Sequence, residues 1–451
     1  MSAAASLDAW IARELQYAAG AMMRSVSRVD LVKSRPGFGT EIRAAKGSII
    51  ASPVLASYDP DPDYFFHWYR DSAVVLEAMR VLHADGVLGD DETFMHLRDF
   101  AQFSLALGQL DGMARVDDDR WRSRVAPDFV QFLRDADELA AVRQHAVAAE
   151  TRVNPDGTLD ISRWARPQHD GPPLRAIALL GWVRNTKLDA ALQAALTELI
   201  RRDLDFTLHH WHEPSYDIWE EEQGLHYYTL RVSAAALEQG AAWLRAQSGD
   251  AALAERCVEQ AQAIRQRLDG FWLEEAGHFR SRILGSGQRS AKELDIAVIL
   301  SAIHSFEADA ATPHSVRDAR MQATLQVLEQ LFERLYAINR DRPAKQAPAL
   351  GRYEGDVYYS GGAYFFSTLG AAEFCFRVAQ DASLDRLRAD AWIARGDAYL
   401  HTVRAYAGAQ GELSEQFDQN DGEQTSARHL AWSYAAFICT IAARRRALSG
   451  R

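Results

Sequence analysis

Residues 321–335 read MQATLQVLEQLFERL, with apolar side chains at Met321, Leu325, Leu328, Phe332 and Leu335, in steps of four, three, four and three. An α-helix turns once in about 3.6 residues, so this spacing lays a single apolar stripe along one face. Leu253, Cys257, Ala261, Ile264 and Leu268 repeat the pattern. Outward from these two, further segments of the same kind fall at about residues 6–26, 71–84, 92–109, 131–149, 173–183, 188–209, 227–246, 290–304, 362–379, 386–404 and 426–445. Strand-like alternation is scarce. The chain is therefore predicted to be all-α: about a dozen helices joined by alternately short and long loops. Such a series suits helical hairpins packed side by side, and closing it would give a double-ring α/α toroid. A solenoid would show self-similarity at a fixed period of about 30 to 45 residues, and none is visible.

The 451-residue length alone would suggest about three domains. No Pro/Gly/Ser linker, charge block or low-complexity stretch divides the chain, and its 13 prolines are spread along it, so residues 1–451 are read as one domain. The net charge of -12 comes from Asp and Glu scattered among Lys and Arg, without a basic stripe to neutralise phosphates, so nucleic acid is not an expected partner. No run of 18 or more apolar residues could span a bilayer. Asp8, Arg13 and Glu14 interrupt the N-terminal segment where an export signal needs an unbroken apolar stretch. As written the chain reads as cytoplasmic; a signal replaced by a start Met would make it periplasmic or secreted. Cys257, Cys375 and Cys439 lie far apart inside apolar helical patterns and read as core residues. The oligomeric state is not legible.

The chemistry is concentrated in five loops dense in Trp, Tyr, Arg, Asp and Glu. Sugars offer hydroxyls, read by charged forks and carboxylates, and flat C–H faces, which stack on aromatic rings. PDYFFHWYRDS (62–72) precedes a helix; a structural reading makes Asp71 and Ser72 its N-cap behind an aromatic staple. WARPQHDGP (164–172) holds Asp170, Gly171 and Pro172 as a capping loop would, which leaves Trp164, Arg166 and Gln168 without a task. YDIWEEEQG (216–224) sets Glu220, Glu221 and Glu222 beside Trp219. An acidic first helical turn would explain it, yet like charges repel, and an apolar wall raises the pKa of whichever carboxyl it desolvates, which makes a general acid near neutral pH. GRYEGDVYYSGGAY (351–364) is the fourth loop and LSEQFD (413–418) the fifth. The fifth runs on through Asp421 to Ser426, which reads as an acidic loop with a Ser cap; that does not explain Glu415 beside Phe417. Two carboxylic acids on separate loops meet the requirement of glycoside hydrolysis: one protonates the leaving oxygen, the other attacks or activates water, according to a separation of about 5 Å or about 6.5 to 9.5 Å.

The motifs PDYFFHWYRDS, RPQHDGPPLRA, YDIWEEEQG, GRYEGDVYYSGG and LSEQFDQNDGEQTSARHLAWSYAA, in this order, resemble glycoside hydrolase family 15, the glucoamylase family, over nearly the whole chain. One such match arises easily by chance; five in sequence do not. The resemblance implies a six-hairpin (α/α)6 toroid with its pocket at one end, exo attack, inversion and release of β-glucose. It implies Glu220 as general acid, Glu415 as the base that activates water, and Glu221 as a neighbour binding sugar hydroxyls. It implies that Arg70 and Asp71 grip the terminal glucose, with Tyr64 and Trp68 lining the same subsite, Trp164 stacking, and Trp219, Arg166, Arg352 and Asp356 serving the substrate site. The implied substrates are α-glucans and malto- or isomalto-oligosaccharides, and no cofactor is needed.

Where the family commonly has Asn-Gly-Asn-Pro-Trp after the double Tyr, this chain has Ser360-Gly361-Gly362-Ala363-Tyr364. This leaves the preference among α-1,4, α-1,6 and other linkages open, an α-1,6-specific glucodextranase or a trehalase included. No starch-binding or β-sandwich module is recognisable in the 451 residues, which favours short oligosaccharides. Two rivals make different demands. A glycoside phosphorylase needs an anion pocket and no carboxylate at Glu415; a non-catalytic glucan binder needs the tryptophans but not both glutamates. His209, His210 and His212 resemble a metal cluster, but adjacent residues at a helix end lack the geometry of an HExxH pair, and no metal is expected there.

Overall fold

Among the described residues, twelve helices of eight residues or more form largely where periodicity places them, and they alternate in character. They are α1 (Leu7–Met23), α2 (Tyr69–Ala84), α3 (Asp90–Leu107), α4 (Gly171–Asn185), α5 (Ala190–His210), α6 (Tyr227–Ala246), α7 (Ala251–Asp269), α8 (Ala297–His304), α9 (Ala319–Leu335), α10 (Phe365–Ala379), α11 (Arg386–Tyr406) and α12 (Ala431–Ser449). The computed structural model describes residues 6–58, 60–247, 250–305 and 313–450. Odd-numbered helices bury a stripe: α7 hides Ala254, Cys257, Ala261, Ile264 and Leu268, and α9 hides Met321, Leu325, Leu328 and Phe332. Even-numbered helices are buried almost all round, as a helix apolar on every side must be; in α2 every residue from Tyr69 to Met79 is buried.

The even helices form the inner ring. α2 packs on α4, α4 on α6, α6 on α8, α8 on α10, α10 on α12, and α12 returns to α2. That last contact closes the toroid, which no repeat in the sequence could establish. Outside it, α1 lies on α12, α5 on α4, α7 on α6, α9 on α8 and α11 on α10, while α3 bridges α2 and α5. This is the (α/α)6 architecture. No described helix is long and apolar enough to cross a membrane, and all three cysteines are buried free thiols.

One predicted helix is absent. Residues 131–149 break into a 3-10 turn (Pro127–Phe132) and two short helical turns (Ala136–Ala140 and His145–Ala148). Arg134 turns inward to grip Glu150 at 2.9 and 3.0 Å, and Gln144 takes a left-handed φ of 54°. Leu133, Leu139, Val142 and Val147 then join Phe38, Trp121, Leu159 and Ile161 in a satellite core. A tertiary ion pair and a local cluster outcompete helical periodicity here. Three other helices start later than periodicity suggests, at Ala297, Phe365 and Ala431, because the preceding residues form loops and short strands instead.

Helix entry separates the two rings with one exception, the outer helix α3, which starts after Gly89 without a side-chain cap. Outer helices α1, α5, α7, α9 and α11 are capped by the side chains of Ser6, Asp189, Asp250, Asp318 and Asp385, each worth about 1 kcal/mol. None of the six inner helices has a side-chain cap. Three of them continue directly from short antiparallel strands instead: His67–Trp68 into α2, Gln223–His226 into α6 and Ala363–Tyr364 into α10. These ladders anchor the loops at the N-terminal end of the inner ring, where the partial positive charge of the helix ends favours carboxylates.

Candidate active site

At that end a cavity of about 250 Å³ is lined by Tyr64, Trp68, Arg70, Asp71, Trp164, Trp219, Glu220, Glu221, Arg352 and Glu415, with Ala51, Ile218, Tyr358, Phe366, Leu430 and Trp432 completing the wall. The stacked rings of Phe366 and Trp432, with centroids 4.3 Å apart, come from the first turns of α10 and α12. The volume lies just below the roughly 300 to 1,000 Å³ of drug-sized ligand sites. It suits one sugar ring rather than a threaded chain.

Glu220 sits on a turn, not in the acidic helical start that an electrostatic reading of its loop allows. The Asp217 carboxylate accepts backbone N–H groups from Trp219 at 2.8 Å, Glu221 at 3.3 Å and Glu222 at 3.0 Å, and this folds Glu220 into a left-handed φ of 66°. Such a conformation costs on the order of 1–3 kcal/mol and persists only where its surroundings over-determine it. Buried Arg282 does so, holding Asp217 at 2.9 Å, Glu222 at 2.8 Å and Asp295 at 2.5 Å. Gln168 adds a bond to the Asp217 carbonyl at 2.7 Å. The Glu220 carboxylate accepts from Trp68 Nε1 at 2.8 Å, from Arg70 at 3.2 Å and from Trp164 Nε1. Trp164 is 37% exposed and marks the mouth; the guanidinium of Arg152 lies 3.5 Å from the centroid of its ring.

Glu415 is only 8% exposed. Its backbone is clamped between Ala427, whose carbonyl takes its N–H at 2.8 Å, and Phe365, whose N–H reaches its carbonyl at 3.2 Å. The carboxylate accepts from the Tyr64 hydroxyl at 3.2 Å and from the Ser426 hydroxyl; Tyr64 in turn bonds Tyr358 at 2.9 Å. Burial pushes the Glu415 carboxyl up to about 7, against the lowering pull of the Ser426 bond, the Arg352 charge and the Tyr64 bond. Trp219, the indole beside Glu220 in sequence, turns its N–H to Asp295 at 2.9 Å.

Around the pair, Arg70 is held by Asp170 at 3.2 Å and lies 3.7 Å from Asp71. Burial raises Asp71 to about 6. Glu221 is tied to Lys292 at 2.7 Å, Arg352 at 3.0 Å and the Tyr353 hydroxyl.

Two expected substrate residues lie off the cavity wall. Arg166 is spent on Glu150 at 2.8 Å, Asp160 at 3.0 Å and the Ser162 carbonyl at 3.1 Å, bracing the loop that carries Trp164. Asp356 bonds Arg352 at 2.6 and 2.5 Å and the Tyr364 hydroxyl at 3.3 Å, so it positions Arg352. The substituted stretch after the double Tyr is likewise bonded inward: Ser360 to Gln416 and Thr425, both at 2.9 Å, and buried Tyr364 to Gln416 at 2.6 Å. Sequence reading missed Ser426, Asp170 and Trp432. The first two look like helix caps and the third is masked by the periodicity of α12.

A sugar-sized cavity walled by Trp and Tyr, lined by Arg70 and Asp71 and holding two separately supported glutamates, at the N-terminal end of a closed α/α ring, defines the carbohydrate-active class of toroids. Residues 83–386 and 388–442 match the family described as Glycosyl hydrolases family 15, and the chain belongs to it. It is 28% identical over 442 residues to a glucoamylase of Neurospora crassa, covering 89% of this chain and 64% of that protein. Against a probable glucoamylase of Schizosaccharomyces pombe the identity is 27% over 486 residues, covering 99% and 93%. The solved structure of Hormoconis resinae glucoamylase superimposes with a TM-score of 0.78 at 26% identity, over 99% of this chain and 74% of that one.

Proposed function

We propose that the chain acts as one catalytic domain of an inverting, exo-acting α-glucosidase of glucoamylase type. It hydrolyses terminal α-1,4 bonds, with α-1,6 bonds as the second linkage, and releases β-D-glucose. The observation that carries this reading is that Glu220 and Glu415, on loops from different hairpins, both line one cavity of about 250 Å³.

Position argues for the roles. In an exo pocket the leaving group points outward, and Glu220 bonds the half-exposed Trp164 at the mouth, where a proton donor to the leaving oxygen belongs. Glu415 lies deep, where water would approach the far face of the anomeric carbon. A base works best with a pKa near the operating pH, and a carboxyl raised to about 7 satisfies this. The Tyr64 and Ser426 hydroxyls orient it. Glu221, Arg70, Asp71 and Arg352 offer the ring hydroxyls acceptors and donors, and Trp68, Trp219 and Trp432 offer apolar faces. Arg70 and Arg352 are already matched by Asp71, Asp170, Glu220, Glu221 and Asp356, so they do not form a free phosphate pocket, which weighs against phosphorolysis.

Incubation with maltose, isomaltose and longer maltooligosaccharides, with and without added phosphate, is expected to yield glucose at a rate independent of phosphate. Glucose 1-phosphate formed only when phosphate is present would replace hydrolysis by phosphorolysis. The best substrate assigns the linkage.

A further inference from the structure

The last turns of α5 carry Asp205, His209 and His210, and the short turn His145–Ala148 packs against them. His145 Nε2 lies 3.1 Å from Asp205 Oδ2, and His209 Nδ1 lies 3.5 Å from Asp205 Oδ1. One ligand atom from each of His145, Asp205 and His209 falls within 4.8 Å of the others. A tetrahedral cation with N and O ligands at about 2.0–2.2 Å needs ligand edges of about 3.3–3.6 Å. The His145–Asp205 edge is already near that length, while the 3.5 Å contact of His209 is to the other oxygen of Asp205. Asp205 and His209 are four apart on the helix and so share a face.

The hydrogen bonds around this trio are one N–H short when both rings are neutral, a place that an extra proton or a metal cation can fill. Asp205, His145, His210 and Glu213 form a chain of three contacts, at 3.1, 3.1 and 2.8 Å. Carboxylates, which only accept, stand at both ends, and two neutral imidazoles bring two N–H groups to the three contacts. A cation between His145 Nε2 and Asp205 completes the set: His145 Nδ1–H then donates to His210 Nε2, and His210 Nδ1–H donates to Glu213. The result is a ligand histidine oriented from behind by a second histidine and a carboxylate. The nearby guanidinium groups are engaged, Arg175 with Asp203 at 2.7 Å and Arg202 with Glu198. A cleft of about 220 Å³ opens onto His145 and Asp205. The half-exposed His209 ring contacts the Asp205 carbonyl at 2.7 Å and reaches the cation by turning away from it.

We propose that His145, Asp205 and His209 bind a divalent cation of the zinc class, outside the catalytic cavity, with water completing the coordination. Two imidazoles and one carboxylate suit zinc-like ions better than calcium or magnesium, which prefer all-oxygen shells. The set shares only His209 with the His209, His210, His212 run in the sequence; His210 and His212 give way to Asp205 and to His145, 64 positions upstream of His209. Occupancy would tie the 145–148 turn to the outer ring, and with it His169, whose ring lies 5.7 Å from that of His210. Asp170, the next residue, holds Arg70.

The test is calorimetric titration of the full chain, freed of metal by a chelator, with Zn²⁺, alongside Co²⁺ as a spectroscopic probe. One site is expected, with micromolar or tighter affinity, the visible absorption of four- or five-coordinate cobalt and a Tm that rises with Zn²⁺. H145A, D205N and H209A should each weaken binding by about tenfold or more; H212A should not. Metal-free activity on maltose should be unchanged in all four. Should H145A fail to fold, H209A, at an exposed position, decides. Absence of saturable Zn²⁺ binding, or wild-type affinity in H209A and D205N, overturns the proposal.

Discussion

Glu220→Gln is expected to lower kcat on maltose by about 10²- to 10⁴-fold, the usual worth of a positioned proton donor, while sparing hydrolysis of α-D-glucosyl fluoride. Fluoride departs without a proton, so the variant should stay within about tenfold of the parent on that substrate, as a loss confined to protonation requires. The amide keeps an oxygen for the Trp68 N–H and Arg70, and Asp217 and Arg282 still hold the turn, so folding should be retained. Steady-state kinetics on both substrates checks this. Equal losses on the two would remove the acid role from Glu220.

Glu415→Gln is expected to lose about 10²- to 10⁴-fold on maltose and on the fluoride alike, because the attacking water is needed for both. In the parent enzyme the base works only when ionised. With its carboxyl at about 7 in the free site, kcat/KM should fall as pH drops through that value. Ser426→Ala removes a bond that favours the ionised form, worth about 0.5–1.5 kcal/mol, or up to about one pH unit. The acidic limb should therefore move upward. A stability effect accompanies it. The Glu415 pKa is raised on folding from 4.5 to about 7, so its proton-linked contribution to stability is fully present below 4.5 and is lost as pH rises through 7. Removing the ionisable group should make Glu415→Gln more stable than the parent above pH 7, by up to about 3 kcal/mol, with the gap closing toward pH 4.5. Thermal melts across this range measure it; a gap that grows toward acid would contradict the assigned cause.

The fold was largely legible because burying a stripe demands a period, and the stripes of α7 and α9 lie where periodicity placed them. Closure was not, since the contact of α12 with α2 joins chain ends that no local pattern relates. The false helix at 131–149 arose because Arg134 and Glu150 form a tertiary pair that periodicity does not encode. At the site the charged and aromatic loops were conspicuous, and Glu220 and Glu415 do share one cavity. What misled was local chemistry with two uses. Asp170 and Ser426 have the composition of helix caps, yet Asp170 holds Arg70 and Ser426 supports Glu415, and the inner helices begin without side-chain caps. Arg166 and Asp356 look like sugar ligands but brace the loops behind the wall.

If Glu415 directs a water to the face of the sugar opposite the oxygen that Glu220 protonates, hydrolysis inverts the anomeric centre. Proton NMR of the anomeric signals during the first moments of maltose hydrolysis tests it most directly. β-Glucose, appearing first and then mutarotating, is the predicted result; α-glucose as the initial product would contradict the account.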